Sequence, residues 1–225
     1  MNAASYPGAW RPYLSVQFVL LVVVLATATW AVVPFAPLMA FMAETGPIER
    51  GTAALYFLSA LLLWGVPAPG LDLPRRLALS LAMLAFGARE LDLHKAWTGM
   101  SVLKVSFYLH DAPLKQKLVA LAVLLPVAAA FGYLVLAHLR LVIDGLRRRH
   151  PVAITVAVFF GTIVLSKLID RSENVLLEDY GFQFPEWLSA LRASLEETLE
   201  LCLPLLLWIG LLQQRRTQPP LLKGR

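Results

Sequence analysis

The stretch PVAITVAVFFGTIVLSKLIDRSEN, residues 151–174, opens as a membrane helix and then fills with charge. Sixteen uncharged residues, Pro151 to Ser166, precede Lys167, Asp170, Arg171 and Glu173. At about 1.5 Å per residue they cover roughly 24 Å of a hydrocarbon core about 30 Å thick. A helix built on this run has to complete a crossing with charged turns.

The pattern recurs in two other places. Twelve uncharged residues, Leu77 to Ala88, run into Arg89, Glu90, Asp92 and His94, and fourteen, Leu201 to Gln214, are preceded by Glu196, Glu197 and Glu200. The rest of the chain agrees with a membrane setting. It is 58% hydrophobic and 16% charged, with a mean hydropathy of +0.66, outside the usual range of soluble domains. Its apolar runs are continuous rather than alternating, which favours helices over a β-barrel.

The sequence therefore predicts an all-α, polytopic integral membrane helix bundle. Residues 1–225 form one domain with six transmembrane helices, over approximate spans 13–36, 51–69, 75–94, 117–139, 151–171 and 194–213. Pro126 is expected to kink the fourth, and Pro151 suits a first helical position. The first apolar run is too long, and lacks the small-residue cleavage site, for a removed signal peptide.

Charge sets the orientation. With both termini cytoplasmic, the inner segments hold Arg11, Arg75, Arg76, Arg140, Arg147, Arg148, Arg149, Arg215, Arg216, Lys223 and Arg225 against only Asp72 and Asp144. This basic excess satisfies the positive-inside rule and predicts a plasma (inner) membrane protein. The net charge of +5 has no nucleic-acid reading motif behind it, so no nucleic acid is expected as a partner. Membrane lipids are. The long outer connections, residues 95–117 and 175–192, mix charge with aromatics such as Trp97, Tyr108, Phe182, Phe184 and Trp187, as interfacial segments do.

In this topology the charged ends of the third, fifth and sixth spans share the outer leaflet. Ionisable residues at membrane depth cost about 2.5 to 3.5 kcal/mol each at the centre unless they are paired or wet, so one shared polar pocket is expected. On a continuous helix Glu90 and His94 share one face, and Arg89 and Asp92 another. Ser166, Asp170 and Glu173 form a stripe, as do Glu196 and Glu200, with Glu197 beside them. These segments supply seven carboxylates against Arg89, Lys167 and Arg171.

Such a set suits a divalent ion, Mg, Mn, Ca, Zn or Fe, with Glu90, Asp170, Glu173 and Glu200 as ligands. His94 or Glu197 would then act as general base, and Arg89 or Arg171 would hold an anionic group such as a lipid phosphate. This is the outline of a metal-dependent hydrolase or transferase taking a lipid or small-molecule substrate from the outer leaflet. No paired-histidine zinc motif, nucleophile elbow or multi-cysteine metal site accompanies it; the single cysteine, Cys202, lies in an apolar run. A proton- or cation-coupled transporter or an ion-conducting protein is the second expectation, and a non-catalytic scaffold whose ion pairs fix helix packing is the third. His110 is the other histidine that could join the outer cluster; His138 and His150 flank a basic inner loop.

Overall fold

The computed structural model describes residues 11–66, 70–109 and 112–217. Among them every regular element is helical: α1 (Leu14–Val32), α2 (Phe35–Phe41), α3 (Pro47–Gly65), α4 (Leu73–Glu90), α5 (Leu93–Ala96), α6 (Val105–Leu109), α7 (Leu114–Arg147), α8 (Pro151–Tyr180) and α9 (Glu186–Thr217). His110, Lys223 and Arg225 lie outside the described residues.

Each expected span falls mainly on one helix, with 13–36 running on into α2 and 75–94 into α5, yet among the described residues only α1, α7 and α8 are long and apolar enough to cross a membrane. Charge separates the other three from them. Glu49 and Arg50 occupy the first turn of α3, Arg75, Arg76, Arg89 and Glu90 sit in the end turns of α4, and α9 carries three glutamates inside its length. The long helices also outrun the expected spans. α7, α8 and α9 contain 34, 30 and 32 residues, about 45 to 51 Å of helix, because Lys, Arg, Glu and Leu all propagate helix well and their charged turns do not end it. Pro126 and Pro204 both lie inside continuous helices.

The chain forms two compact units. The first contains α1, α2, α8, α9 and α7 from Arg140 onward. Small residues let its helices approach closely: Ala26, Ala153, Ala190, Ala193 and Ser194 are buried. Leu38 of α2 and Met42 just after it pack with Ala190 and Ala193 of α9, beneath Trp30, Val33 and Phe35. The Trp30 indole N–H donates to the Trp187 carbonyl at 2.8 Å, tying α1 to the start of α9.

At the far end of α9, fully buried Gln213 accepts a hydrogen bond from the Thr155 hydroxyl of α8 at 2.6 Å. Replacing Gln213 with Leu strands that hydroxyl and should lower detergent melting stability by about 0.6 to 2 kcal/mol. An unchanged melting temperature would show that the contact does not hold α8 to α9.

The turn between α7 and α8 is equally close. A Cβ placed on Gly145 would stand 2.6 Å from Ala153 Cβ, so glycine alone fits there. α8 stops at Gly181, whose φ of 66° suits glycine. Its N–H reaches the Leu177 carbonyl at 3.0 Å and that of Phe182 reaches Leu176 at 3.0 Å, a Schellman ending.

The second unit contains α3 from Glu49, α4, α5, α6 and α7 as far as Leu139. Ser80 of α4 donates to the Ala60 carbonyl of α3 at 3.3 Å, and Tyr56 stacks on Phe86 with centroids 5.5 Å apart. Asp72 caps α4 through the Arg75 N–H, and the Arg76 guanidinium donates to the Leu63 and Val66 carbonyls at the end of α3. Between α4 and α7 lie the two short helices α5 and α6, with Phe107 buried and the Tyr108 hydroxyl donating to the Val102 carbonyl at 3.0 Å.

Candidate functional site: the α8–α9 charge network

Helical spacing assembles the larger group of charges. Asp170 and Glu173 follow Ser166 by four and seven positions on α8, and Arg192, Glu196 and Glu200 succeed one another at intervals of four on α9. Antiparallel packing of α8 and α9 brings the two stripes face to face.

Two cations serve four carboxylates there. Lys167 Nζ lies 2.7 Å from Glu200 Oε1, 3.4 Å from Asp170 and 3.9 Å from Glu196. Arg192 donates through Nε to Glu173 at 2.8 Å and through Nη1 to Glu196, and stands 4.0 Å from Asp170. Hydroxyls complete the set: Ser166 donates to Glu200 at 2.9 Å and Ser189 to Glu173 at 2.8 Å. Glu200 is buried and Glu196 nearly so, whereas Asp170 and Lys167 are about one-third exposed. Ionised throughout, Asp170, Glu173, Glu196 and Glu200 against Lys167 and Arg192 leave a formal excess of two negative charges.

Arg192 is the residue that sequence reasoning missed. It was assigned to the outer connection, because α9 was expected to begin at 194, whereas the helix starts at Glu186. Its four-residue spacing from Glu196 in RASLE was the available signal. Arg171, expected to bind an anion, is exposed on α8, and Arg192 is the guanidinium that meets the carboxylates. Glu197 is half-buried, about 100° around α9 from Glu196.

The residues from the third span belong to the other unit and are arranged differently from the expectation. Glu90 and His94 do not share a helical face, because α4 ends at Glu90 and Asp92 takes a left-handed φ of 51° before α5 begins. Aspartate tolerates that conformation better than most residues, which is why the break falls there. Nor does Arg89 pair with Asp92. Arg89 Nη1 lies 3.4 Å from buried Glu90, and Asp92 meets Lys95 at 2.8 Å and His94 Nδ1 at 3.8 Å. Burial holds the His94 imidazole below its ordinary pKa, with the Asp92 charge opposing the shift.

Glu90 and His94 belong to the second unit, and Asp170, Glu173, Glu196, Glu197 and Glu200 to the first. Among the described residues no set of three or more His, Cys, Asp or Glu side chains is placed to hold a metal ion. The proposed ligands Asp170, Glu173 and Glu200 have their oxygens turned to Lys167, Arg192 and the two serines. The chemistry this arrangement offers is charge compensation across a helix pair, with unneutralised carboxylate left over. Among the described residues the fold is all-α, with three helices long and apolar enough to cross a membrane. Comparison with protein-family models, curated proteins and solved structures found no match to this chain.

Proposed function

We propose that the chain is a six-span integral membrane protein of the plasma (inner) membrane, with α1, α3, α4, α7, α8 and α9 as spans and both termini cytoplasmic. Its α8–α9 network acts as an interhelical lock. The observation that carries this reading is that all four carboxylates engage Lys167 or Arg192, with contacts running in both directions between the helices.

Helix length supports the placement. Counted from Pro151, about 20 residues of α8 fill a 30 Å core, which puts Asp170 near its outer boundary and residues 175–180 beyond it. Charges at that level are tolerated far better than at the bilayer centre. A metal-dependent hydrolase keeps less support, since its ligands are partnered by protein cations. A second reading, cation or proton binding, is favoured by one observation: carboxylates outnumber cations four to two.

Metal content separates these readings. Protein purified without chelator should carry well under one divalent ion per chain by elemental analysis, and chelator should leave its melting temperature unchanged. A stoichiometric ion, with melting lowered by its removal, would overturn the lock in favour of a metal site. For topology, in a Cys202→Ala background an impermeant maleimide should label Glu178→Cys in intact cells and leave Arg148→Cys unlabelled until lysis. The reverse pattern would invert the orientation.

A further inference from the structure

A cavity of about 230 Å³ opens between α1, the end of α2 and α9, on the side of α9 that carries Ser194, Thr198 and Cys202. Small side chains create it. Its floor is made by Ala26, Ser194 and Cys202, each at most 2% exposed, and by buried Met42, whereas larger residues such as Phe18 and Leu25 stand at the rim.

Every polar hydrogen in this lining is already used. Thr29 donates to the Leu25 carbonyl at 2.8 Å, Ser194 to Ala26 at 3.2 Å, Thr198 to Ser194, and Cys202 to Thr198 at 3.2 Å. A water inside would find few partners, and cavities of this kind stay dry or take apolar guests. Of the lining residues Leu25 and Thr29 are exposed, so the cavity opens beside α1, whose neighbouring Leu21 and Val24 are also more than half exposed. α1 is itself long and apolar enough to span, so the medium at that opening is hydrocarbon.

From this geometry we infer that the α1–α9 cavity is a binding slot for one acyl chain of a bilayer lipid. The volume accommodates roughly eight methylene groups at about 27 Å³ apiece, close to the volume share of one water in the liquid. The inference rests on the membrane reading above. It goes beyond it by separating a recessed lipid site from the general lipid-facing surface, of which the largely exposed α7 is the example.

The test is photolabelling of the full-length protein in nanodiscs of phosphatidylethanolamine and phosphatidylglycerol, doped with phosphatidylethanolamine that carries a diazirine in mid-chain. Adducts are mapped by mass spectrometry. Ala26, Ser194 and Cys202 should be labelled on the order of tenfold more than residues 118–136 of α7, the ratio set by about two additional buried methylenes. Ala26→Leu fills the floor and Thr29→Trp plugs the slot from its exposed rim. Either should remove most floor adducts and leave α7 labelling unchanged, and Thr29→Trp keeps the test open if Ala26→Leu does not fold. Floor labelling at or below the α7 level would overturn the slot, whether an ordinary annulus or a second copy of the chain covers that face; so would floor labelling that ignores Thr29→Trp. Absence of label on α7 as well would sink the membrane reading itself.

Discussion

Replacing Lys167 with Met should lower the stability of the detergent-solubilised protein by about 3 to 5 kcal/mol, the largest loss among single substitutions in the α8–α9 network. Lys167 Nζ lies 2.7 Å from buried Glu200, which also accepts from the Ser166 hydroxyl at 2.9 Å, and its removal takes a close opposite charge away from that carboxylate. Methionine keeps most of the stem's packing, so the loss reports the charge rather than a cavity. Glu196→Gln should behave in the opposite sense. It removes one of the two surplus negative charges and keeps an amide oxygen for Arg192, so melting should stay unchanged or rise. The pair of results tests the lock directly. If Lys167→Met melts as the wild type does, or if Glu196→Gln falls as far as Lys167→Met, then the network does not hold the helices through charge compensation.

The second large effect is steric and lies at the other end of α8. Gly145→Leu should destabilise by about 1 to 3 kcal/mol, or prevent assembly, because its Cβ alone would come within 2.6 Å of Ala153 Cβ. Gly145→Ala isolates that contact. Intrinsic helix propensity favours alanine over glycine by about 1 kcal/mol, so a net loss of stability would have to come from the collision. Ala153→Gly combined with Gly145→Ala should then recover most of the loss, as residues in contact couple strongly. Thermal melting of the four-member cycle measures it; additive losses would mean that the α7–α8 turn relaxes away from the clash.

Much of the helical layout was legible in the sequence because apolar runs of this length have few alternatives. Pro151 marked the first residue of α8 correctly, and each expected span falls mainly on one helix, although 13–36 runs on into α2 and 75–94 into α5. Helix ends were less legible. An apolar window registers where hydrocarbon character stops, whereas α8 continues through Lys167, Asp170, Arg171 and Glu173 to Gly181 because those residues are compatible with helix. The break after Glu90 was hidden for the converse reason. Asp92 occupies a left-handed conformation that its sequence neighbours do not announce, and with it the four-residue relation of Glu90 to His94 loses its meaning. The carboxylate stripes on α8 and α9 were visible as spacing. Their partner Arg192 was not, because reading it required knowing that α9 begins at Glu186, about four turns before its apolar run.

The Thr155–Gln213 hydrogen bond and the Ser166–Glu200 contact act together as a vernier. From Thr155 to Ser166 is roughly 16 Å of helix, and from Glu200 to Gln213 roughly 20 Å, so the two scales are read against each other at points far apart. Sliding α9 by one turn, about 5.4 Å, would present Glu196 to Lys167 in place of Glu200 and so disguise the error at one mark. At the other mark the same slip carries Gln213 away from Thr155, and only the correct phase aligns both. In the six-span arrangement proposed above, where helices insert first and find partners afterwards, that is how α8 and α9 come to share a single register.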